Sequence, residues 1–251
     1  MKIVLVTGGA GEIGSAICKQ FAENGYNVIA TYNSNPVKAQ KLLSELNQLS
    51  TSNHSIFHAP TTDSQKVADL KVFITEKYGK LDVLVNNAGI TTPVPHHDLE
   101  GLTDEWIDKI MQTNFRGSFA MVRATKDLLE KAYDESNESS LVVNISSIAG
   151  IYGIGSNVAY CASKAAVDSM TRSLARALAP KIRVVSVSPG FVEGEYTKSF
   201  DPNFLKNQMD NTPLGRFATG ADVANAVYSV ASSLTFSTGN IITVDGGRLL
   251  K

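Results

Sequence analysis

Short continuous runs of valine, isoleucine and leucine alternate with segments of helical period along the whole chain, and that alternation leaves few folds open. A strand that reads as an unbroken apolar run has both faces buried, the habit of a parallel sheet; a sheet with one wet face alternates apolar and polar residues. The expected strands are residues 3–6, 28–32, 55–58, 81–86, 141–146, 182–186 and 240–244. Helical segments lie between them at 13–23, 36–49, 64–78, 103–133, 157–179, 203–211 and 221–234. Asn35 with Pro36 behind it, and Thr103 followed by Asp104 and Glu105, mark helix starts, and the third long helix is expected to kink near Asn114. Strands joined by helices make an α/β fold, a doubly wound parallel sheet with helices on both faces. No Pro/Ser/Gly-rich linker and no repeat divides the 251 residues, so one domain spanning 1–251 is expected.

The first strand runs into Thr7-Gly8-Gly9-Ala10-Gly11-Glu12-Ile13-Gly14 and then a helix. Glycines let backbone amides approach a pyrophosphate, and the helix N-terminus carries partial positive charge. Strand, glycine turn and helix in that order point to a dinucleotide site in a Rossmann-type sheet, with ligands at the carboxyl ends of the strands. Such sites place an acid at the end of the second strand to hold the ribose 2′-hydroxyl. Here that end reads Thr31-Tyr32-Asn33-Ser34, with no carboxylate. A 2′-phosphate escapes repulsion there and meets hydrogen-bonding groups in Asn33 and Ser34, which favours NADP(H) over NAD(H); Lys38 is the nearest cation.

Tyr160 and Lys164 are four residues apart in Tyr-Cys-Ala-Ser-Lys, and Ser147 stands thirteen positions before Tyr160. Positions i and i+4 share a helix face, so phenol and ammonium point into the same space. A lysine charge beside a tyrosine hydroxyl favours the phenolate; at ~4 Å and an effective dielectric of ~20 the Coulomb energy is ~4 kcal/mol before screening. The pair reads as an acid/base device. Ser146 competes with Ser147 as its partner, and the spacing to Tyr160 favours Ser147.

Thr7–Gly14, Asn86-Asn87-Ala88-Gly89, Asn114, Ser147, Tyr160/Lys164 and Pro189-Gly190 together resemble the motif set of the short-chain dehydrogenases/reductases. The ending with Pro213-Leu214-Gly215-Arg216-Phe217, Thr238-Gly239 and Val244-Asp245-Gly246-Gly247 is similar to the 3-oxoacyl-carrier-protein reductase-like and glucose-dehydrogenase-like members. The resemblance covers nearly the whole chain. It implies a sheet of about seven strands and an enzyme interconverting a ketone or aldehyde and an alcohol by hydride transfer. Ser147 would bond the substrate oxygen, Tyr160 would give or take its proton, and Lys164 would tune the tyrosine and hold the nicotinamide ribose. Asn114 would position a water that joins Lys164 to solvent. Asn87, Ala88 and Gly89 would meet the adenosine ribose, and Pro189, Gly190 and the backbone of Val192 the nicotinamide. Two hydroxyl donors suit the oxyanion that builds during carbonyl reduction.

The chain departs from the family pattern at three places. Glu12 stands where the middle glycine is usual, with Gly11 one place earlier; an acid beside a pyrophosphate is tolerable if it points to solvent or bonds an amide. Pro60-Thr61 stand where an aspartate often meets the adenine amino group. Gly194 replaces a hydroxyl residue four positions beyond Gly190, with Thr197 close by.

The loops 90–98, 148–154 and 191–211 are expected to wall the substrate pocket with Pro93, Val94, Ile151, Tyr152, Ile154, Phe191, Tyr196, Phe200, Phe204 and Met209. A small lid around 190–215 suits the mixed glycine, aromatic and charged sequence there, and an oligomer contact is the competing use of that stretch. A substrate carried on an acidic protein would call for basic residues at the entrance. The stretch 98–108 is instead acidic (Asp98, Glu100, Asp104, Glu105, Asp108), while Lys198, Lys206 and Arg216 lie near the lid, so a free small carbonyl compound is equally expected. Adjacent His96 and His97 point apart and have no third ligand at useful spacing, so no metal is expected. A net charge of −1 speaks against nucleic acid or an anionic membrane as partner. The N-terminal apolar run is too short for a signal peptide or a span, and two cysteines outside metal spacing fit a reducing cytoplasm. The family resemblance further implies a homo-oligomer, tetramer or dimer, built through the helices at 103–133 and 157–179 and the last strand. Two other functions are open to such a chain: a non-catalytic nucleotide-binding sensor, which has no need of a tuned tyrosine, and a nucleotide-sugar epimerase or dehydratase, which ordinarily needs a longer C-terminal substrate domain.

Overall fold

Successive residues of a strand face opposite sides of a sheet, and in this protein both sides are packed. The computed structural model describes residues 1–195, 197 and 200–250. One parallel, seven-stranded sheet is formed by β1 (Ile3–Val6), β2 (Asn27–Tyr32), β3 (Ser55–His58), β4 (Val83–Asn86), β5 (Ser140–Ile145), β6 (Ile182–Pro189) and β7 (Ile241–Val244). The strand order is β3-β2-β1-β4-β5-β6-β7. The connecting helices are α1 (Glu12–Glu23), α2 (Pro36–Leu49), α3 (Ser64–Lys77), α4 (Asp104–Met111), α5 (Ser118–Ser136), α6 (Ile148–Tyr152), α7 (Val158–Leu178), α8 (Pro202–Asp210) and α9 (Gly220–Ser232).

Val4 and Val6 of β1 join Val28, Ala30, Val83 and Val85 on one side, under Ile17 and Phe21 of α1, Leu42 and Leu46 of α2 and Val223 and Val227 of α9. Ile3 and Leu5 go to the other side with Ile29, Leu84, Val142 and Val184, under α3, α5 and α7 through Leu70, Ile74, Met121, Leu129 and Ala175. Each such fully buried side chain contributes roughly 1.5–3 kcal/mol against exposure, which is why apolar runs were needed on both faces of every central strand. Phe21, Tyr26 and Tyr228 close the first layer with edge-on rings at 4.9 and 5.5 Å.

The strand order reverses its direction of growth at β1, so β1 and β4 diverge at their carboxyl ends and open a crevice there. Side chains fix the helix starts around it. Asn35 accepts from the Lys38 amide at 2.9 Å, and Asp63 accepts from the Gln65 and Lys66 amides, both at 3.0 Å. Thr219 and Asp222 cap α9 reciprocally, and Arg216 on Asp222 holds that carboxyl well below the usual carboxylate range. Thr103, expected to open α4, precedes it in extended conformation without a side-chain cap.

Three expectations need correction. The helix expected at 103–133 is α4, a π-helical turn over Gln112–Gly117, and α5, which runs on to Ser136; the kink expected near Asn114 is this wider turn. Residues 148–154, expected as loop, contain α6, whose single turn is too short to show a period in sequence. The sixth strand continues past Ser186 to Pro189 because Ser186 and Ser188 are themselves fully buried polar residues rather than a loop start.

Candidate active site

The turn after β1 is shaped by glycine. Gly8 takes φ +61°, a left-handed conformation that disfavours side chains. A Cβ on Gly14 would lie 2.4 Å from the Gly8 oxygen and 2.8 Å from both Asn87 Nδ2 and Gly9 Cα. The amide of Asn87 donates to the Thr7 and Gly8 oxygens at 2.9 and 3.1 Å, so β4's end clamps the turn that follows β1. The N-terminus of α1 has Gly11 as its cap and no side-chain acceptor on its first amides, the arrangement that receives an anion. Gly8, Gly11, Glu12, Ile13 and Gly14 line one side of a cleft of about 510 Å³, and Asn87, Ala88 and Gly89 line another. Tyr32, Asn33 and Thr61 close its far end. An elongated cleft, a glycine turn without room for a methyl and an uncapped helix terminus fit a dinucleotide.

Some expected members sit elsewhere. Gly9 faces the sheet: a Cβ there would come 2.6 Å from Ala30 Cβ, and its amide donates to the Thr31 oxygen at 2.9 Å. It makes room for β2 rather than lining the cleft. Ser34 is exposed beyond the cleft wall, and the Tyr32 ring leans on His58 with centroids 5.4 Å apart. Lys109, Gln112 and Thr113 line the cleft without having been expected there. They come from α4 and the π turn, about 25 residues beyond the motifs at β4 and far from those at β1, and nothing in local spacing marks them.

Glu12 does not point into the cradle. Its Oε1 accepts a hydrogen bond from the Glu195 amide, and Oε2 occupies the room that a side chain on Gly194 would take, since a Cβ there would lie 1.6 Å from it. The acid at the usual glycine and the glycine at the usual hydroxyl are thus one compensated pair. Thr197 Oγ1 donates to the Gly194 oxygen at 2.7 Å and accepts from its amide at 3.1 Å, so that hydroxyl serves the turn. Lys38 pairs with Glu195 at 2.7 Å.

The residues expected to handle protons gather on α7 and the elements packed against it. Asn157 caps α7 by accepting from the Tyr160 amide at 2.7 Å and donates to the Thr92 oxygen at 2.7 Å, which ties the loop at 90–98 to the helix. Tyr160 is half-buried, and Lys164 Nζ stands 5.7 Å from its ring centroid. Lys164 is 5% exposed, and its Nζ donates to the Ile145 oxygen at 2.8 Å. Burial pushes its pKa down to about 8, and the nearby Asp168 carboxyl opposes the shift. Ser147 caps α6, its Oγ accepting from the Ala149 amide at 3.1 Å, which leaves its proton free to donate. Ser146 is buried and donates to the Lys164 backbone oxygen at 3.1 Å, so of the two serines it is Ser147 that stays half-exposed. Gly150 lets α6 touch α7, where a Cβ would lie 2.6 Å from the Lys164 carbonyl carbon.

Asn114 sits in the π turn, a feature that commonly re-aims a side chain at a site. Its Oδ1 accepts from the Ile90 amide at 2.8 Å, and Nδ2 donates to the Ile90 oxygen and to Ser163 Oγ, both at 3.0 Å. Gly89 lies between the two groups: a Cβ there would stand 3.3 Å from Asn114 Oδ1 and 3.5 Å from Lys164 Nζ. After β6, the Gly190 amide donates to the Val244 oxygen at 3.0 Å, and Val192 makes a β-bridge with Ala218. This fixes the segment that leads to the Glu12 contact.

On the expected substrate side Phe191 packs against Phe217, Phe200 and Phe204 with ring centroids 4.7, 6.0 and 6.3 Å away. Tyr196 and Lys198, expected there, lie outside the described residues. Lys206 pairs with Asp210 and Arg216 with Asp222, both at 2.7 Å. His96 Nε2 donates to the Gly155 oxygen at 3.1 Å. Cys18 and Cys161 are buried free thiols, and among the described residues no helix is long and apolar enough to cross a membrane.

A family profile described as enoyl-(acyl carrier protein) reductase matches residues 8–248. The 3-oxoacyl-acyl-carrier-protein reductase FabG of Staphylococcus aureus is 34% identical over 252 residues, 99% of this chain and 98% of the relative. Among solved structures, a short-chain dehydrogenase/reductase from Burkholderia xenovorans superposes with TM-score 0.90 at 30% identity, over 100% of this chain and 99% of the other. An NADH-dependent reductase of alginate metabolism gives TM-score 0.87 at 28% identity, over 98% of this chain and 96% of the other.

Proposed function

The chain belongs to the short-chain dehydrogenase/reductase family and is a nicotinamide-dependent oxidoreductase of carbonyl and alcohol groups, and from that premise we propose that Tyr160, Lys164, Ser147 and Asn114 carry its chemistry on a small 3-oxoacyl-type substrate. The observation that supports these roles best is the placement of a buried Lys164 beneath the half-buried Tyr160 at the carboxyl edge of the sheet, beside the glycine-lined cleft. Ser147 donates its free proton to the substrate oxygen and orients it. The Tyr160 hydroxyl transfers its proton to that oxygen as negative charge builds there. Lys164, with its pKa near 8, is still an ammonium at neutral pH and close enough to neutrality to restore the tyrosine's proton. Asn114 holds the Ile90 backbone and so fixes the floor on which Gly89 and Lys164 meet. When bound, the cofactor supplies the hydride. Gly8, Gly11, Ile13 and Gly14 would hold its pyrophosphate, Tyr32, Asn33 and Thr61 its adenosine end, Asn87, Ala88 and Gly89 the ribose, and Pro189, Gly190 and Val192 the nicotinamide.

NADP(H) is the proposed cofactor, supported by the absence of a carboxylate at Tyr32 and Asn33 and by Lys109 in the lining of the same cleft. A carrier-free substrate is supported by the cations near the lid: Lys206 and Arg216 are each committed to an acid, which leaves them poorly placed to receive an acidic protein. We place the protein in the cytoplasm as one domain with a lid at 190–215 and as a homo-oligomer. Exposed Phe119, Val158 and Phe236 support the last point.

Tyr160→Phe tests the reading. Turnover is expected to fall by about 10²–10⁴-fold, with NADPH affinity nearly unchanged. A mutant that keeps most of its activity refutes the tyrosine mechanism. Titration with NADPH and NADH, then a panel of free and carrier-linked 3-oxoacyl compounds, decides cofactor and substrate.

A further inference from the structure

Asp168 is buried at 3% exposure one helical turn beyond Lys164 on the inner face of α7. It is an expensive residue to keep there. Its Oδ1 accepts from Ser186 Oγ of β6 at 2.9 Å, while Oδ2 is buried with no hydrogen-bond partner. An unsatisfied buried polar atom costs about 1–3 kcal/mol, and an apolar residue of the same volume would remove that cost. Packing therefore does not account for a carboxylate at this position.

Its surroundings do. Ser186 Oγ lies 3.4 Å from Ser188 Oγ, and Ser146, after β5, reaches the same pocket while bonding the Lys164 backbone oxygen at 3.1 Å. The charged groups acting on Asp168 are Lys164 and Arg172, both on α7; β6 and the end of β5 present only serine hydroxyls. Lys164, in turn, meets the Tyr160 ring and the Ile145 carbonyl, and Asp168, four residues on and buried on the same face of α7, is the charge that acts on it. We propose that Asp168 is a positioning residue for the reaction: a buried counter-charge, held by Ser186, that keeps Lys164 an ammonium in a site whose dryness works against the charge. Burial pushes the Asp168 carboxyl up, and the Ser146 and Ser186 hydroxyls with Arg172 and Lys164 pull it back toward the ionised form. The cost of the orphaned oxygen is thereby linked to the state of the lysine. The inference rests on the role proposed for Lys164.

The test compares the pH profile of kcat in the wild type, Lys164→Arg, Asp168→Asn and Asp168→Val, together with Tm. Without the carboxylate, Lys164 loses its proton more readily, so the alkaline limb is expected to move down by about one pH unit, a tenfold change in ammonium fraction at fixed pH. Asp168→Val is expected to keep or raise Tm, and it carries the test if Asp168→Asn does not fold. A limb that stays in place in a folded Asp168 variant, with or without a lower Tm, overturns the proposal and leaves the residue a structural one. An alkaline limb unmoved by Lys164→Arg overturns instead the role given to Lys164, and the two failures are thus told apart.

Discussion

Gly14→Ala adds one methyl to the tightest point of the phosphate turn, and the structure supplies its cost. The new Cβ would stand 2.4 Å from the Gly8 oxygen and 2.8 Å from Asn87 Nδ2 and Gly9 Cα, two of them backbone atoms that cannot swing aside. Overpacking of this kind costs about 1–3 kcal/mol. Displacing Asn87 also weakens its bonds to the Thr7 and Gly8 oxygens, each worth roughly 0.5–1.5 kcal/mol. Alanine returns about 1 kcal/mol of helix propensity. The balance is a loss of about 3 kcal/mol, or roughly 6–12 °C in Tm for a chain of this size. Because the turn itself is pushed out of shape, NADPH affinity is expected to fall by more than about 10²-fold. Gly11→Ala is the control: its Cβ would touch only the Gly8 oxygen, at 3.3 Å, and as an N-cap change it is expected to cost about 1 kcal/mol or less. Thermal unfolding and fluorescence titration with NADPH measure both. If Gly14→Ala matches Gly11→Ala in Tm and affinity, the close approach of α1 to the turn is not what requires glycine, and the reasoning fails.

Three other outcomes follow from the same geometry. Arg183 donates to the carbonyls of Val230, Leu234 and Ser237 at 3.0–3.1 Å, so Arg183→Met should destabilise the fold by about 2–4 kcal/mol, read by chemical denaturation, with cofactor affinity retained. His54 Nδ1 accepts from the Val28 amide at 3.2 Å and Nε2 bonds Ser50 Oγ at 2.9 Å; burial lowers its pKa, so it is held neutral. Its contribution is present above the unfolded value of about 6.5 and lost as pH falls through the folded one, and His54→Asn should flatten the acid side of the Tm–pH curve. Glu12→Gln removes a negative charge beside the phosphate turn while keeping an acceptor for the Glu195 amide; NADPH should bind about 2–5-fold tighter, with adenosine, which has no phosphate, unaffected in calorimetry.

The sheet was legible in the residues because apolar runs at Ile3–Val6 and Val83–Asn86 can be buried on both faces only between two helical layers. The cleft's position followed from the glycines of the first turn, since few backbones other than a phosphate turn need Gly8 and Gly14 so close. Tyr160 and Lys164 were legible as a pair because helical spacing alone sets them on one face. Gly9 packs against Ala30, a use of glycine that sequence does not separate from ligand approach.

What tertiary structure alone decided are the relations between distant segments. Ser147 rather than Ser146 is left to donate because α7 claims Ser146 through the Lys164 carbonyl. Glu12 is turned away from the phosphate turn because Gly194, far along the chain, leaves room for its carboxylate. Lys109 reaches the cleft because the fold carries α4 across to it, and Asp168 acquires a purpose only when β6 brings Ser186 against its carboxylate. Local periodicity encodes which face of an element is buried, and so it carried the fold and the helical pair. It does not encode which residues two folded elements will press together, and that is where this site took its selectivity and its charge.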